Sequence, residues 1–176
     1  LGPDRPGLPA KVVTWTDPDY LAQLRHDVGA LKRESDIVVS SHHWGVGEEI
    51  LQYQTELAHA AIDAGADVVM GHGTHFPLAI EIYKDKPIFY GLGFFYFVRS
   101  NRRPLNKWVG MIARLPLEDR KMSKVAYTLV RINGDSELTL RGIEEETAEV
   151  ARIERMSGKF GTRMQAARDE VVVWRR

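Results

Sequence analysis

The chain has 176 residues, which is enough for one domain with a hydrophobic core and too few for two domains of ordinary size. Hydrophobic residues make up 44% and charged residues 27% of the sequence. These values are close to the averages of soluble globular proteins and exclude a disordered tail, a collagen-like rod and a coiled coil. Lys plus Arg and Asp plus Glu each number 24, and the resulting zero net charge argues against nucleic acid as a partner.

The absence of cysteine excludes disulfides, thiolate nucleophiles and cysteine metal sites. The longest apolar runs have about five residues, far below the ~20 that a membrane-spanning helix needs, so no membrane span is expected in this chain. The chain begins Leu1-Gly2-Pro3, and its first methionine is Met70. We therefore expect a processed protein or a piece of a longer one, incomplete on its N-terminal side.

The first half of the chain has the pattern of an α/β protein. Two short β-branched and apolar runs are typical of strands that are buried on both faces of a parallel sheet. Apolar residues at spacings of three and four predict helices before and between them, and a strand–helix–strand unit of this kind forms a right-handed crossover. The predicted elements are, in order, a linker at 1–10, a strand at 12–16, a helix from Asp17-Pro18, a strand at 37–41, a helix from about Glu48 to Gly65, and a strand at 67–70.

The second half is predicted to consist mostly of antiparallel strands. Asp85 marks one turn, and Asn133-Gly134-Asp135 is a strong hairpin signal. The predicted elements are strands at 79–83, 87–91, 108–114, 124–132 and 137–141, a polar helix at 144–156, and a last strand at 169–174.

Histidines follow both strands of the predicted crossover unit. His42 and His43 come after the 37–41 strand, and His72 and His75 come after the 67–70 strand. Because the carboxyl ends of parallel strands meet at one edge of a sheet, we expect three or four of these imidazoles to converge in loops there. Imidazole is a common ligand of zinc, iron and related metals. The sequence therefore predicts a metal site at this edge.

Two weaker interpretations concern other residues. Ser40-Ser41 beside His42 could suggest a serine–histidine esterase, but the chain has no G-x-S-x-G elbow. His26 and His59 lie inside predicted helices and are interpreted as ordinary surface or half-buried histidines.

A series of short motifs extends from Asp36 to Phe97. It comprises Asp36-Ile37-Val38-Val39, His43-Trp44-Gly45, the helix at 57–67, Gly71-His72-Gly73-Thr74-His75, and the strands at 80–84 and 87–93. This series resembles the CapA/PgsA-type family of capsule (poly-γ-glutamate) synthesis proteins, which is related to the calcineurin-like metallophosphoesterases. The resemblance places the chain in the C-terminal half of such a protein.

The resemblance implies an α/β fold that is the C-terminal half of a metallophosphoesterase-like αββα sandwich, with a parallel βαβ unit followed by mostly antiparallel strands. It implies that residues 1–176 form a single domain. It implies two divalent metal ions of the Mn, Fe or Zn class in the complete protein, with His43, His72 and His75 as metal ligands and catalytic residues. The chemistry is hydrolysis by a metal-bound hydroxide. The substrate class is a small molecule or an anionic polymer, and the location is membrane-associated or extracytoplasmic.

Three positions depart from the family pattern. Gly73 stands where many members have a histidine, so His72 is expected to take that role. Phe94 stands where asparagine is usual, and the glutamate that follows H-W-G is displaced to Glu48 or Glu49.

No acidic metal motif precedes His43. Three neutral imidazoles without carboxylates are a poor site for two divalent cations and could hold one zinc-like ion. We therefore expect weak or no phosphoesterase activity from the isolated chain. The alternative is a non-catalytic module of the same fold that binds an anionic polymer or serves in assembly.

Overall fold

The computed structural model describes residues 16–96, 108–133 and 137–175. The predicted linker at 1–10 and residues 12–15 of the first predicted strand lie outside these ranges. The helices are α1 (Pro18–Glu34), α2 (Gln52–Asp63) and α3 (Thr147–Gly158), with a 3-10 turn at Ile143–Glu145. The strands are β1 (Val39–His43), β2 (Val68–His72), β3 (Ile80–Tyr83), β4 (Lys86–Phe89), β5 (Val109–Arg114), β6 (Leu117–Glu118), β7 (Lys121–Met122), β8 (Val125–Ile132), β9 (Leu138–Arg141), β10 (Thr162–Ala166) and β11 (Val171–Arg175).

Helix α1 begins where the sequence predicts. The Asp17 carboxylate caps it by accepting a hydrogen bond of 3.0 Å from the backbone N–H of Asp19, and Pro18 occupies the first turn. At that position proline costs no helical hydrogen bond and its fixed φ suits the helix.

Helix α2 begins at Gln52 and not near Glu48 as predicted. Gly45 and Gly47 have φ values of 69° and 77°, which belong to turn and not helix geometry. The Gln54 side chain then accepts a hydrogen bond of 2.8 Å from the Leu51 backbone N–H. This is one of the two hydrogen bonds of a capping box at a helix N-terminus. The helix ends before Gly65 at φ 117°, as expected.

The first sheet has the strand order β1-β2-β4-β3. Strands β1, β2 and β4 are parallel, so the predicted crossover through α2 is confirmed. Strand β3 is antiparallel to β4 and joins it through Lys84 and Asp85, both at positive φ. The expectation that the first crossover strand is buried on both faces is wrong. Within the described ranges β1 pairs only with β2, and Val39 is 49% exposed.

The second sheet is antiparallel throughout. Its order is β10-β11-β8-β5, with β9 also paired to β8. Gly134 and Asp135 of the predicted hairpin turn lie outside the described residues. The predicted pairing of the strands on either side is confirmed by β8 with β9 and by the 2.9 Å bond from the Asn133 N–H to the Glu137 carbonyl. The sequence interpretation missed β10 and the short β6–β7 hairpin.

Two apolar clusters define the layers. Helices α1 and α2 cover one face of the first sheet, and the other face of that sheet packs against the second sheet. The first cluster includes Val28, Ala58, Ala61, Ile62, Val69, Ile88 and Tyr90. The second includes Val68, Ile80, Ile82, Phe89, Val109, Met111, Tyr127, Leu129, Val171 and Val173.

Helix α3 lies along β3. The Ile80 backbone N–H donates a 2.9 Å hydrogen bond to Ser157 Oγ, and Ile153 belongs to the cluster between the sheets. The fold is therefore α/β with mixed sheets. No helix in the described part of the chain is long and apolar enough to cross a membrane.

A buried carboxylate joins the start of the first sheet to α1. Asp67 is 4% exposed and accepts hydrogen bonds from Lys32 Nζ at 2.7 Å, from the Val38 N–H at 2.9 Å, and from Lys86. Burial raises the pKa of this carboxyl, but the two lysines and the Val38 N–H outweigh it, so the net pKa lies below its ordinary value. The ionised form therefore stabilises the fold.

We expect Asp67→Asn to lower the free energy of unfolding by about 1–3 kcal/mol, because it leaves buried donors without a charged acceptor. The native contribution is complete above the ordinary pKa of 3.8 and is lost as the pH falls through the lower folded value. Urea denaturation across this pH range measures both effects. The matched control is Asp63→Asn, which removes an exposed pair with Lys84 and should cost less than about 1 kcal/mol. Equal losses in the two variants would contradict the assignment.

Candidate functional site

His43 and His72 lie side by side at the carboxyl edge of the first sheet. They are register partners at the ends of β1 and β2, and side chains of partners in a parallel pair point to the same face. Val68 and Met70, which alternate with His72, pack in the cluster between the sheets. Both imidazoles are therefore on the face that looks toward the second sheet.

The histidines were expected in loops, and for three of them this is wrong. His42 and His43 are the last two residues of β1 and His72 is the last residue of β2, whereas His75 lies in the turn that follows β2. The reason is that β1 and β2 continue their hydrogen bonding further than the apolar runs extend, and the Trp44 N–H still donates to the His72 carbonyl at 2.9 Å.

The turn after β1 is fixed by the Trp44 side chain. Trp44 is 5% exposed, and its indole Nε1 donates a 2.9 Å hydrogen bond to the Tyr90 carbonyl. To reach it, the indole passes over Gly71, where an added Cβ would overlap both groups. The next residue, Gly45, donates its N–H to the Tyr53 hydroxyl at 2.7 Å. The H-W-G turn is thus tied to β4 and to α2.

Gly73 makes room for the His43 ring. A Cβ built on Gly73 would lie 2.7 Å from His43 Nε2, and its φ is 92°, a value that other residues rarely adopt. The ring therefore packs on the backbone at the position where many family members were expected to carry a histidine.

The local environment favours neutral imidazoles at two positions. Burial, and then the nearby His72, lower the pKa of His42 from 6.5 to about 4. Burial, and then His43, lower the pKa of His72. A neutral imidazole has a free nitrogen lone pair, which is the form that binds a metal or accepts a proton.

His75 has different neighbours. It is exposed, has a φ of 65°, and its ring centroid lies 4.4 Å from that of Phe94. It lines a cavity of about 200 Å³ together with residues of the loop after β1, of its own turn after β2, of β5 and of α3, namely Glu48, Phe76, Pro77, Val109, Glu149 and Arg152.

The expected convergence of three or four imidazoles is found only for the His43–His72 pair. His42 lies on the opposite face with Trp44, on which it stacks at 4.8 Å. Among the residues that the structure describes, no group of three or more His, Cys, Asp or Glu side chains is placed to hold a metal ion. Two imidazoles without a carboxylate are an incomplete ligand set, so these residues do not by themselves fit the metal ions that the resemblance implies.

Ser40 and His42 form a hydrogen-bonded pair, with Oγ and Nε2 2.8 Å apart. Ser40 is only 8% exposed, and its alternation with Trp44 places it on the helix-covered face. A substrate cannot easily reach this hydroxyl. The contact satisfies two buried polar groups and gives no support to the esterase interpretation.

A second polar network was missed by sequence reasoning. Glu81, 7% exposed, accepts a 2.7 Å hydrogen bond from the Tyr90 hydroxyl and lies 3.0 Å from His59 Nε2. His59 also stacks on Tyr83 at 3.8 Å. Burial and then Glu81 raise the pKa of Tyr90 well above its usual range. The sequence feature that indicates this network is Glu81 itself, a carboxylate in the middle of the apolar run Ala79–Tyr83.

These features define an α/β protein with a histidine pair at the carboxyl edge of a mixed sheet. Residues 3–99 match the family model described as bacterial capsule synthesis protein PGA_cap. Since this match covers more than half of the chain, the chain belongs to that family of bacterial capsule synthesis proteins.

Individual relatives agree with this assignment. A probable polyglutamine synthesis accessory protein of Mycobacterium tuberculosis is 42% identical over 97 residues, covering 51% of this chain and 24% of that protein. The PGA biosynthesis protein CapA of Bacillus subtilis is 42% identical over 72 residues, covering 40% and 19%. The capsule biosynthesis protein CapA of Bacillus anthracis is 38% identical over 84 residues, covering 46% and 20%. The matched part thus spans at most about a quarter of these relatives.

Gly71→Ala should lower the free energy of unfolding by about 1–3 kcal/mol, because the new methyl group forces the indole away from the Tyr90 carbonyl. Urea denaturation followed by Trp fluorescence measures this loss. Gly158→Ala is the control, since no heavy atom lies within 4 Å of a Cβ there. That variant should be unchanged or up to about 1 kcal/mol more stable. A neutral Gly71→Ala variant would refute the proposed role of the indole.

The ring of His42 should titrate near pH 4. Its folded pKa is below the ordinary 6.5, so the unfolded chain binds the proton first and stability is lost as the pH falls from 6.5 toward 4. The full effect is about 3 kcal/mol by the conversion of 1.36 kcal/mol per pKa unit. Histidine ring NMR, with the signal assigned through His42→Gln, measures the pKa. A midpoint near 6.5 would contradict the described burial.

Proposed function

We propose that this chain is a capsule or poly-γ-glutamate synthesis-type protein with a metallophosphatase-like, metal-dependent hydrolase site. In this proposal His43 and His72 are metal ligands and catalytic residues, and His75, which lies apart from them among the described residues, joins them in these roles in the complete protein. The two packed sheets with α1 and α2 correspond to part of a metallophosphoesterase-like αββα sandwich. The metals are two divalent ions of the Mn, Fe or Zn class in the complete protein.

The observation that carries the proposal is the pairing of His43 with His72. Two imidazoles from adjacent parallel strands share one face at the carboxyl edge of the sheet, the place where open α/β sheets gather their ligands. Burial and His43 also hold the pKa of His72 below its usual range, which favours its ligating form near neutral pH.

The proposed site needs further ligands. The described residues supply no third His, Cys, Asp or Glu in reach of the pair. We therefore propose that the isolated chain has weak or no hydrolase activity, and that any full activity belongs to a longer protein.

The proposed substrate class is a small molecule or an anionic polymer. The relatives named for PGA or capsule biosynthesis support a polymer as the substrate. Because the chain has a formal net charge of zero, recognition of such a polymer depends on local groups and not on the overall field. The proposed location, membrane-associated or extracytoplasmic, follows from the same family.

A second candidate function is a non-catalytic module that binds an anionic polymer or serves in assembly. The observation in its favour is the incomplete ligand set at the histidine pair. Such a module would bind its partner through the surfaces of the fold, and the histidine pair would not be needed for that binding.

The deciding experiment compares metal binding with hydrolysis. We expect the isolated chain to bind about one Zn²⁺ or Mn²⁺ weakly, to lose that binding in His43→Ala and in His72→Ala, and to show little turnover of bis(p-nitrophenyl) phosphate. Calorimetry and elemental analysis measure the metal, and p-nitrophenolate release measures hydrolysis.

His26→Ala is the matched control, because His26 is exposed on α1. It should bind metal as the unchanged chain does. Equal binding in all four proteins, or no binding in any of them, would favour the polymer-binding module. Ordinary enzyme rates from the isolated chain would show that its ligand set is complete and overturn the proposal of a further segment.

A further inference from the structure

We propose that Arg152 of α3 is a positioning residue for the turn that carries His75. The inference concerns a residue outside the 3–99 family match. It rests on the proposed function only in treating His75 as part of the site, since the contacts themselves do not depend on any activity.

The guanidinium of Arg152 is bonded directly to this turn. Its Nη2 donates a 2.6 Å hydrogen bond to the backbone carbonyl of Pro77, two residues after His75. Pro77 has no backbone N–H of its own to donate, and its ring packs beside Gly93. A hydrogen bond from a charged donor is about twice as strong as a neutral one.

Two carboxylates hold the guanidinium in place. Glu149, one turn earlier in α3, accepts from Nη2 at 2.5 Å and from Nε at 3.2 Å. Glu48, from the loop after β1, lies 3.5 Å from Nη1. The Arg152 side chain is 22% exposed, that of Glu149 is 17% exposed and that of Glu48 is 57% exposed. The pair with Glu149 is therefore less screened by solvent than a surface pair, whereas the pair with Glu48 is partly solvated.

Arg152 therefore connects three parts of the chain around one cavity. The loop that follows the H-W-G turn contributes Glu48, the turn after β2 contributes His75 and Pro77, and α3 contributes Glu149 and Arg152 itself, all lining the same space of about 200 Å³. Glu48 is one of the two positions to which the glutamate of the family pattern is displaced in this sequence. At this position Glu48 forms an ion pair with Arg152 of α3.

The hydrogen bond from Arg152 to the Pro77 carbonyl holds the turn more than it stabilises the core. Its acceptor is a backbone carbonyl beside the turn that holds His75 at a φ of 65°. Within this turn Thr74 Oγ1 donates a 2.9 Å hydrogen bond to the Phe76 carbonyl. Removing the guanidinium should let this segment open locally while β1 and β2 stay paired.

The test is hydrogen exchange and NMR on the 176-residue chain with Arg152→Gln and Arg152→Lys. The reporter is the Leu78 amide, bonded to the Gly91 carbonyl at 2.9 Å, and the reference is the Trp44 amide, bonded to the His72 carbonyl at 2.9 Å. In Arg152→Gln we expect Leu78 exchange about tenfold faster or more, a weaker contact signal between the His75 and Phe94 rings, and an unchanged Trp44 amide.

Arg152→Lys should restore part of the Leu78 protection, since lysine can donate to the Pro77 carbonyl but cannot pair with both carboxylates at once. Arg155→Gln is the matched control on an exposed position of α3 and should change neither amide. If Arg152→Gln does not fold, the lysine variant alone provides the comparison, with an intermediate increase expected.

Equal acceleration of both amides would mean that Arg152 only stabilises the whole fold, and unchanged Leu78 exchange would mean that it does not hold the turn. Either result overturns the inference. None of these readouts needs metal or substrate. A failure of the proposed function would therefore leave the positioning result standing, and a failure of the positioning result would leave the proposed function to its own test.

Discussion

The arrangement of the site depends on one crossing, that of the Trp44 indole over Gly71. The indole can reach the Tyr90 carbonyl only because the central strand has no side chain at that point. One hydrogen bond thereby spans three adjacent strands and fixes the direction in which the chain leaves β1. His43, one residue earlier, inherits its orientation from this constraint, and its ring then occupies the space over Gly73. Two nearby glycines thus have different roles, since Gly71 in β2 makes room for an indole and Gly73 just after β2 makes room for an imidazole.

The opposite end of the same strands is held by charge. Asp67 gathers two lysines and a backbone N–H from α1, β1 and β4 at the amino edge of the sheet, whereas the indole acts at the carboxyl edge. The edge strand β1, with one paired side in the described ranges, would otherwise be the least constrained strand of the first sheet. Anchors at both ends explain how an edge strand can present His43 in a defined register with His72.

Local signals made the first half of the fold predictable. The Asp17-Pro18 helix start, the Gly65 helix end and the parallel crossover depend on neighbouring residues, and all three are confirmed. The edge position of β1 was not predictable, because a β-branched run looks alike in the middle and at the edge of a sheet. The pairing of His43 with His72 followed from topology, but the separate position of His75 depends on the φ values of the turn. Arg152 and Pro77 are 75 residues apart, and no local pattern singles out that contact.

The two-sheet core carries a consequence for folding. Four buried residues of the apolar cluster between the sheets come from the part of the chain up to residue 96, and eight come from the part after residue 107. Met156 of α3 packs against both clusters. The two sheets cover each other's apolar faces through this cluster, so we expect each to depend on the other for stability. We expect the two sheets to unfold in one cooperative transition, in which the family-matched strands and the strands after residue 107 lose structure together.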